Sequence, residues 1–513
     1  MRLAIILALV ASFSWAQEKP AEEKKPEPKP EEKKPEEKKD DKAKEEKPKE
    51  SKGSTTIEGR EIKYVTKTGT MPILKEDGSG EKARIFFVYY AATEGDGPTL
   101  ASKNPASRPI TFCFNGGPGS AAVWLQFGGL GPKKIQLDPE GLKPATRAAV
   151  VSNPNSILDR TDLVFIDPVG TGASRASKGE KPEQFWGVNS DIESVGEFIR
   201  LFTTRELRWL SPKFLCGESY GGIRGAGLVD HLQGRHGLFI DGFISVSGVL
   251  NFATLRDGNL AAVTFLPAFT ATAHYHKKLP PDLQADRENA VAECRAFAWG
   301  EYLNALYAGA NLPAQRRADI VTKLARFTGL EPDVIDRANL RVEGGVFYEH
   351  LLRKEGKIIG RYDGRVTSED FDRIRSSPEF DPSYTNILGP FAAAANASIR
   401  ADLGYEFDLP YKILGGVSWS YADYPGNYVN LEDRLANALK ENRKLRVLLC
   451  LGWRDLAVPP DTALYSVSQL HVPESVRSNI RMEYYESGHM MYLNQPDAEK
   501  LRKDIVSFIG VPQ

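Results

Sequence analysis

The sequence predicts an α/β fold in which a mostly parallel central sheet is flanked by helices and carries a helical cap insertion. Two observations predict this class. Short apolar runs recur along the chain, and the first three end in Gly-rich or acidic turns; such continuous, non-alternating runs are typical of parallel strands buried on both faces. Apolar residues at helical spacing in 191–202 supply the crossover that parallel strands require. The runs are residues 110–114, 163–166, 213–216, 239–246 and 445–451.

The alternation of predicted strands and helices stops between residues 251 and 410. Segments 285–308 and 313–328 have helical composition, and no clear buried strand is visible there. Because the strand pattern returns at Leu445, an insertion into one α/β domain is a simpler reading than a separate helical domain. Strand character in 57–65 and 83–90 precedes the first buried run. The sequence thus predicts an α/β domain made of residues 54–250 and 411–513, with residues 251–410 as the insertion.

The first 53 residues predict two segments outside this domain. Residues 1–16 begin with Arg2, continue through an apolar stretch too short to span a bilayer, and end in a small-x-small pattern at Ser14 and Ala16. They predict a signal peptide and export to the periplasm or the medium. Residues 17–53 are almost wholly Lys, Glu and Pro, which predicts a disordered tether. An arm that binds cell wall or another polymer is the alternative.

Composition limits the function classes. The formal net charge of −1 over 513 residues provides no overall field to attract nucleic acid or an anionic membrane. The seven histidines lack H-E-x-x-H spacing, so neither a metal nor another cofactor is expected. Cys113, Cys216 and Cys450 lie in or beside apolar runs and are expected to be small core residues, whereas the state of Cys294 is left open. The oligomeric state is also open, a homodimer included.

The run Gly217, Glu218, Ser219, Tyr220, Gly221 fits the G-x-S-x-G pattern of a nucleophile elbow. It follows an apolar strand and precedes a plausible helix at 223–232. Such a strand–turn–helix setting exposes the serine on a sharp turn and aims the free N–H groups of the helix at the reacting centre. The pattern predicts an α/β-hydrolase fold with Ser219 as nucleophile.

The other members of a catalytic triad follow in the chain order of that fold, which is serine, acid, histidine. His489 lies in a Gly-His loop after a strand, whereas His471 lies in an apparent surface connection. Asp455 comes just past the run 445–451, at the end of a strand where such sheets place functional groups. Ser219, Asp455 and His489 are therefore the predicted triad.

A tetrahedral oxyanion needs two N–H donors. One is expected from Tyr220, directly after the nucleophile. The other is expected from the loop at 115–119, which reads Asn-Gly-Gly-Pro-Gly and follows the run 110–114. A phosphate-binding loop is the alternative, but no Lys with Ser or Thr closes the loop and no G-x-G-x-x-G fits.

Together these motifs resemble the serine carboxypeptidase family. The resemblance rests on residues 115–119, 217–221, the Asp455 loop and 488–490, and residues 167–172 also resemble a stretch of that family. It implies that peptides are the substrates and that single residues are removed from their C-termini. It further implies an oxyanion hole from the N–H groups of Gly117 and Tyr220. The residues implied to bind the terminal carboxylate are Asn115, Gly116 and Glu218.

The implied role of Glu218 requires a protonated side chain, because two facing carboxylates repel unless one carries a proton. Activity favoured at acid pH is the expected consequence. The sequence departs from the family at three positions. Cys113 stands where many members have Trp, Ser120 where they have a disulfide-forming Cys, and Gly129 where many carry a Glu that supports the carboxylate-binding network.

Two other functions fit the same motifs. An esterase or acyltransferase uses the same triad and differs in what binds beside it. A non-catalytic binding protein with a decayed site is the alternative from another class, although every triad position is filled.

Overall fold

The computed structural model describes residues 47–144, 149–372, 374–424, 426 and 428–510. The residues predicted to form the signal peptide, and most of the predicted tether, lie outside these ranges. The β-strands within them are β1 Lys49–Ile57, β2 Arg60–Leu74, β3 Glu81–Ala92, β4 Ile110–Phe114, β5 Lys133–Ile135, β6 Val150–Ser152, β7 Asp162–Ile166, β8 Arg175–Ala176, β9 Lys213–Glu218, β10 Gly242–Val246, β11 Lys357–Ile359, β12 Thr367–Glu369, β13 Arg446–Gly452 and β14 Ile480–Tyr485.

Helices connect these strands. The α-helices of the described residues are α1 Leu100–Lys103, α2 Val188–Arg205, α3 Gly221–His236, α4 Ala253–Arg256, α5 Gly258–Tyr275, α6 Pro281–Gln284, α7 Arg287–Phe297, α8 Leu303–Ala308, α9 Ala314–Thr328, α10 Pro332–Arg337, α11 Gly344–His350, α12 Pro382–Ala401, α13 Glu432–Glu441, α14 Pro460–Gln469, α15 Glu474–Arg477 and α16 Gln495–Gly510. Two short segments matter for the site, a π-helix at Leu125–Leu130 and a 3₁₀-helix at Met491–Leu493.

A ten-stranded mixed sheet forms the centre of the part of the protein that the structure describes. Its strand order is β1-β2-β3-β7-β4-β9-β10-β13-β14, with β8 paired to β3. The first three pairings are antiparallel, and every pairing from β7 through β14 is parallel. The buried runs predicted from the sequence form β4, β7, β9, β10 and β13 of the parallel part. The predicted α/β class is confirmed.

Helices cover both faces of the sheet because the parallel strands are apolar on both faces. Val195 and Phe198 of α2 pack with Ile223 of α3 over one face. Phe391 of α12 and Ile505 of α16 pack over the other. The carboxyl ends of β4, β9, β13 and β14 meet at one edge of the sheet, which is where functional side chains collect in such sheets.

Most of the segment between β10 and β13 is helical and has an apolar core of its own. That core includes Phe269 of α5, Phe297 of α7 and Leu324 of α9. Aspartate side chains start two of these helices, since Asp257 accepts hydrogen bonds from the backbone at the start of α5 and Asp286 does so at α7. One small two-stranded sheet, β11 with β12, interrupts the helices, although the sequence showed no clear strand there.

The first two strands differ from the sequence expectation. Residues 57–65 were expected to be one strand, but Glu58 and Gly59 form a turn with φ of 49° and 75°, so this stretch joins β1 to β2. Residues 49–53, assigned to the charged tether, form the first half of β1. They pair with β2 at the sheet edge, where charged side chains face solvent without cost.

The four cysteines are buried and free. Cys113 of β4 and Cys216 of β9 are register partners on adjacent strands, and Cys450 lies in β13. This confirms the reading of these three as core residues. Cys294 lies in α7 and accepts a hydrogen bond from Thr270. Within the described ranges, none of the helices combines the length and apolarity needed to cross a membrane.

Candidate active site

Ser219 lies on the turn between β9 and α3. Its φ of 62° is a left-handed conformation that costs a non-glycine residue energy. The chain tolerates it because the turn is held on both sides, with Ser219 N donating to the carbonyl of Val246 at 3.0 Å. A Cβ at Gly217 would lie 2.3 Å from the carbonyl oxygen of Gly221, so only glycine fits there. The turn presents the serine side chain at the carboxyl edge of the sheet.

Asp455 and His489 meet across the ends of β13 and β14. Asp455 Oδ2 accepts from His489 Nδ1 at 2.8 Å, and Oδ1 accepts from the backbone N–H groups of Ala457 and Val458, both at 2.8 Å. The aspartate is fully buried. With its proton on Nδ1, the imidazole keeps Nε2 free to act as a base.

The loop that carries His489 is fixed by backbone contacts. His489 N donates to the carbonyl of Tyr362 at 2.6 Å, and the Asp497 carboxylate accepts from the backbone of Glu486 and Ser487 at 3.1 and 2.8 Å. Burial lowers the pKa of His489, but the charge and hydrogen bond of Asp455, with the charge of Glu218, more than compensate and raise it. The raised pKa makes the buried imidazole of His489 a better proton acceptor.

Ser219 and His489 line one cavity of about 180 Å³, together with all three residues predicted to bind the substrate carboxylate. Its apolar wall is formed by Trp124, Tyr362, Tyr384, Leu414 and Met490. A larger cavity of about 570 Å³ lies against Ser219 as well, and the insertion supplies much of its wall, including Phe265, Arg341 and Tyr348. Gly117, Pro118 and Arg361 line both cavities, so the two adjoin at the serine.

The predicted oxyanion donors lie beside this junction. A Cβ on Gly116 would lie 2.4 Å from Tyr220 N, so the loop after β4 presses directly on the elbow. Gly117 and Tyr220 both line the 570 Å³ cavity with Ser219. Among the hydrogen bonds of the described residues, none uses the N–H of Gly117 or of Tyr220. Both donors are therefore available to a ligand.

Glu218 and Asn115 form a polar patch in the smaller cavity. Glu218 is 4% exposed, and burial raises the pKa of its carboxyl to about 7, against the opposing effects of His489, Tyr492 and Asn115. Asn115 Oδ1 accepts from Leu125 N at 3.1 Å, which turns the amide nitrogen the other way. That nitrogen is buried and has no hydrogen-bond partner of normal geometry. The patch thus places a buried N–H donor beside a carboxyl whose raised pKa, about 7, lets it hold a proton near neutral pH.

Arg224, on α3, supports the loop from below and was not predicted. It is fully buried, with Nε donating to Asp191 at 2.8 Å and Nη1 donating to the carbonyl oxygen of Asn115 at 2.5 Å. Its guanidinium packs against the rings of Phe114 and Tyr220. An arginine in the apolar first half of α3 was the available signal, but its partners lie on two distant segments.

Tyr492 is the second residue that the sequence did not reveal. Its hydroxyl donates to Glu218 Oε2 at 2.6 Å. Its ring lies against Gly129, where a Cβ would be 3.1 Å from the ring. The position where the sequence lacked a supporting glutamate is therefore filled by a tyrosine from another segment.

Ser120 and Cys113, the other two positions at which the sequence departs from the family, are both buried. Ser120 Oγ accepts from Trp124 Nε1 at 3.0 Å, so it orders the wall of the smaller cavity. Cys113 is buried in β4 below the site. No three His, Cys, Asp or Glu side chains of the described ranges gather as metal ligands.

Comparison with known proteins agrees with this geometry. Residues 75–294 match the family model described as serine carboxypeptidase. Serine carboxypeptidase-like 45 of Arabidopsis thaliana is 28% identical over 34% of this chain and 35% of its own length. Carboxypeptidase Y of Schizosaccharomyces pombe is 26% identical over 30% of this chain and 15% of its own length. The matches thus span at most about a third of these relatives.

The fold extends further than the sequence matches. The crystal structure of Kex1(Δ)p, a prohormone-processing carboxypeptidase from Saccharomyces cerevisiae, superposes with a TM-score of 0.51 at 14% identity. The superposition covers 87% of this chain and 91% of that one, which establishes a shared α/β-hydrolase architecture. Residues 75–294 are thus similar to the serine carboxypeptidase family, and the architecture is that of an α/β hydrolase.

Proposed function

We propose that this protein is a serine carboxypeptidase that releases single residues from the C-termini of peptides. The observation that carries the proposal is the patch of Asn115 and Glu218 beside Ser219. A buried amide donor without a partner and a carboxyl that can hold a proton near neutral pH suit a substrate carboxylate. A general esterase would have no need for two such groups in the cavity beside its nucleophile.

Each of the two cavities holds a different part of the peptide substrate. Because the patch lies in the 180 Å³ cavity, the C-terminal residue of the peptide occupies that cavity and the rest of the chain extends into the 570 Å³ cavity. The scissile bond then lies over Ser219. The small cavity has an apolar, aromatic wall, which favours an apolar C-terminal residue.

Catalysis proceeds through an acyl-enzyme. Ser219 Oγ attacks the last peptide carbonyl while His489 Nε2 accepts its proton, and the N–H groups of Gly117 and Tyr220 stabilise the oxyanion. His489 then gives the proton to the departing amine, which leaves as a free amino acid. Water then attacks the acyl-enzyme while His489 accepts its proton; the bond between Ser219 Oγ and the acyl carbon breaks, and His489 returns the proton to Ser219 Oγ. Asp455 stabilises the imidazolium through its hydrogen bond with His489 Nδ1.

His489 and Glu218 titrate as a pair. Each affects the other, since the His489 charge lowers the pKa of Glu218 and the Glu218 charge raises the pKa of His489. The reactive state carries one proton, placed on Glu218, with His489 neutral. A second proton disables the base at low pH, and loss of the single proton creates two facing carboxylates at high pH.

We also propose that the protein is exported. The proposal rests on the apolar stretch and small-x-small pattern of residues 1–16 and on the charged composition of the tract that follows. Mass determination of the mature protein in the periplasmic and medium fractions tests it. A mature N-terminus after residue 16 supports export, and an intact N-terminus in the cytoplasmic fraction contradicts it.

The experiment that tests the proposed activity compares an N-blocked dipeptide with the same dipeptide as its C-terminal amide. The free acid is expected to be cleaved with at least about a tenfold higher kcat/KM, because the amide cannot form the charge-assisted hydrogen bonds of a carboxylate. Ser219→Ala should abolish cleavage of both. Equal kcat/KM for the free acid and the amide, or cleavage of simple esters without cleavage of either dipeptide, would favour an esterase.

A further inference from the structure

Tyr492 forms a contact that the catalytic scheme above does not use. It lies in the 3₁₀-helix Met491–Leu493, three residues after His489, and is buried. Its hydroxyl reaches Glu218 Oε2 at 2.6 Å, although the two residues are 274 positions apart. The contact therefore links the loop of the base to the end of β9, next to the nucleophile.

Space for the tyrosine ring comes from two consecutive glycines in the π-helix Leu125–Leu130. A Cβ on Gly128 would lie 2.5 Å from Tyr492 Cε2, and one on Gly129 would lie 3.1 Å from Tyr492 Cγ. Neither glycine is among the residues with positive φ, so backbone conformation does not require glycine at either position. What these positions require is the absence of a side chain, because the ring of Tyr492 occupies that volume.

The hydroxyl acts on Glu218 as a donor. Burial, together with the nearby Glu218 charge, raises the pKa of Tyr492 well above its ordinary value, so the phenol keeps its proton. With Oε2 engaged as the acceptor of that bond, the proton of neutral Glu218 is carried on Oε1. Oε1 is then the oxygen that donates to a substrate carboxylate, beside the free amide nitrogen of Asn115.

We propose that Tyr492 is the positioning residue of the carboxylate subsite: seated on Gly128 and Gly129, it fixes the orientation of the Glu218 carboxyl and directs that group's proton toward the substrate. This proposal rests on the proposed carboxypeptidase function. It makes Tyr492 act through Glu218 and not on the substrate directly.

The test is Tyr492→Phe, which keeps the ring on the two glycines and removes only the hydroxyl. Two substrates distinguish an effect on carboxylate binding from a general effect on catalysis. One is an N-blocked dipeptide with a free carboxylate, and the other is an N-blocked amino acid ethyl ester without one. We expect kcat/KM for the dipeptide to fall about tenfold or more, and hydrolysis of the ester to change less than about twofold.

The pH profile gives a second readout that a packing defect would not move. The hydroxyl favours the Glu218 carboxylate, so its removal raises the pKa of Glu218. The alkaline limb of dipeptide cleavage should therefore move to higher pH in Tyr492→Phe. The matched control is Tyr302→Phe, which removes a buried hydroxyl bound to the Leu340 carbonyl within the insertion. It should leave the profile in place.

A double variant tests whether the effect passes through Glu218. In a Glu218→Gln background, Tyr492→Phe should cost much less than it does alone. Equal losses on dipeptide and ester, an unmoved alkaline limb, or full additivity with Glu218→Gln would each overturn the proposal. If the wild type itself shows no preference for the free acid over the amide, the proposed function fails instead. The two failures are therefore distinguishable.

Discussion

The guanidinium of Arg224 holds the main-chain carbonyl of Asn115, with Nη1 2.5 Å from the oxygen, while Nε binds Asp191 at 2.8 Å. All three residues are buried. Arg224 thus ties the loop after β4 to α2 and α3 and supports the backbone of Asn115, whose side-chain amide is the proposed donor to the substrate carboxylate.

Removing the arginine should therefore cost both stability and activity. Arg224→Gln leaves the Asp191 carboxylate buried without a cation, which destabilises proteins by about 3–5 kcal/mol. Urea unfolding measures this loss, and kcat/KM for a blocked dipeptide should fall with it. The control is Arg434→Gln, which breaks the half-exposed pair with Asp230 and should cost under about 1 kcal/mol. Equal costs for the two variants would contradict the role of Arg224.

Asp455→Asn tests the orientation of the base. The asparagine amide nitrogen cannot accept from His489 Nδ1–H, so the imidazole takes the wrong tautomer. We expect kcat to fall about 10³- to 10⁴-fold with little change in KM, for dipeptide and ester substrates alike. Steady-state kinetics on folded variant protein measures it. A loss below about tenfold would show that another acid orients His489.

Glu218→Gln tests the pH dependence. Wild-type cleavage of a free-acid dipeptide should decline through the pKa of Glu218, about 7, because deprotonation places two carboxylates face to face. Glutamine carries no charge at any pH, so the variant should lose this alkaline decline while its maximal rate falls. The measurement is kcat/KM against pH for both proteins. An unchanged alkaline limb in the variant would assign the decline to some other group.

Asp167 gives a prediction about stability. Burial raises the pKa of this carboxyl to about 6, against hydrogen bonds that include Ala122 N at 2.8 Å. The folded protein therefore binds a proton more tightly than the unfolded chain, so this contribution to stability is complete below pH 3.8 and is lost as pH rises through about 6. The loss amounts to about 3 kcal/mol.

Asp167→Asn is the variant that isolates this contribution. The asparagine can keep the acceptor for Ala122 N and does not titrate. The difference in unfolding free energy between wild type and variant should shift in favour of the variant between pH 4 and 7. A difference that stays constant over this range would show that Asp167 does not titrate in the folded protein.

Much of the fold could be predicted because the apolar runs of its buried strands and the elbow pattern are each contained in a short stretch of sequence. Residues 110–114 form β4 from end to end, and the elbow at Ser219 sits between a strand and a helix as its pattern indicates. The hairpin of β1 and β2 was missed because Ile57 and the apolar residues from Ile62 onward lie close enough to suggest one strand, although residues 58–61 between them are charged or glycine and include the turn. The charged start of β1 was missed because an edge strand needs little apolar surface.

The supports of the site could not be predicted, since they are contacts between distant segments. Tyr492 reaches Glu218 across 274 positions and Arg224 reaches Asn115 across 109. Neither spacing leaves a periodic or local pattern. Gly129 was noticed as the loss of a supporting acid, but only the structure shows that its missing side chain makes room for a ring.

A timed mass-spectrometric digest of one peptide, supplied with a free and with an amidated C-terminus, tests whether Ser219 removes residues from free C-termini. We expect a ladder of products from the free peptide, each shorter by one C-terminal residue, with the amidated peptide cleaved far more slowly and Ser219→Ala inactive. Internal cleavage, trimming from the N-terminus, or an unchanged ladder from Ser219→Ala would contradict it.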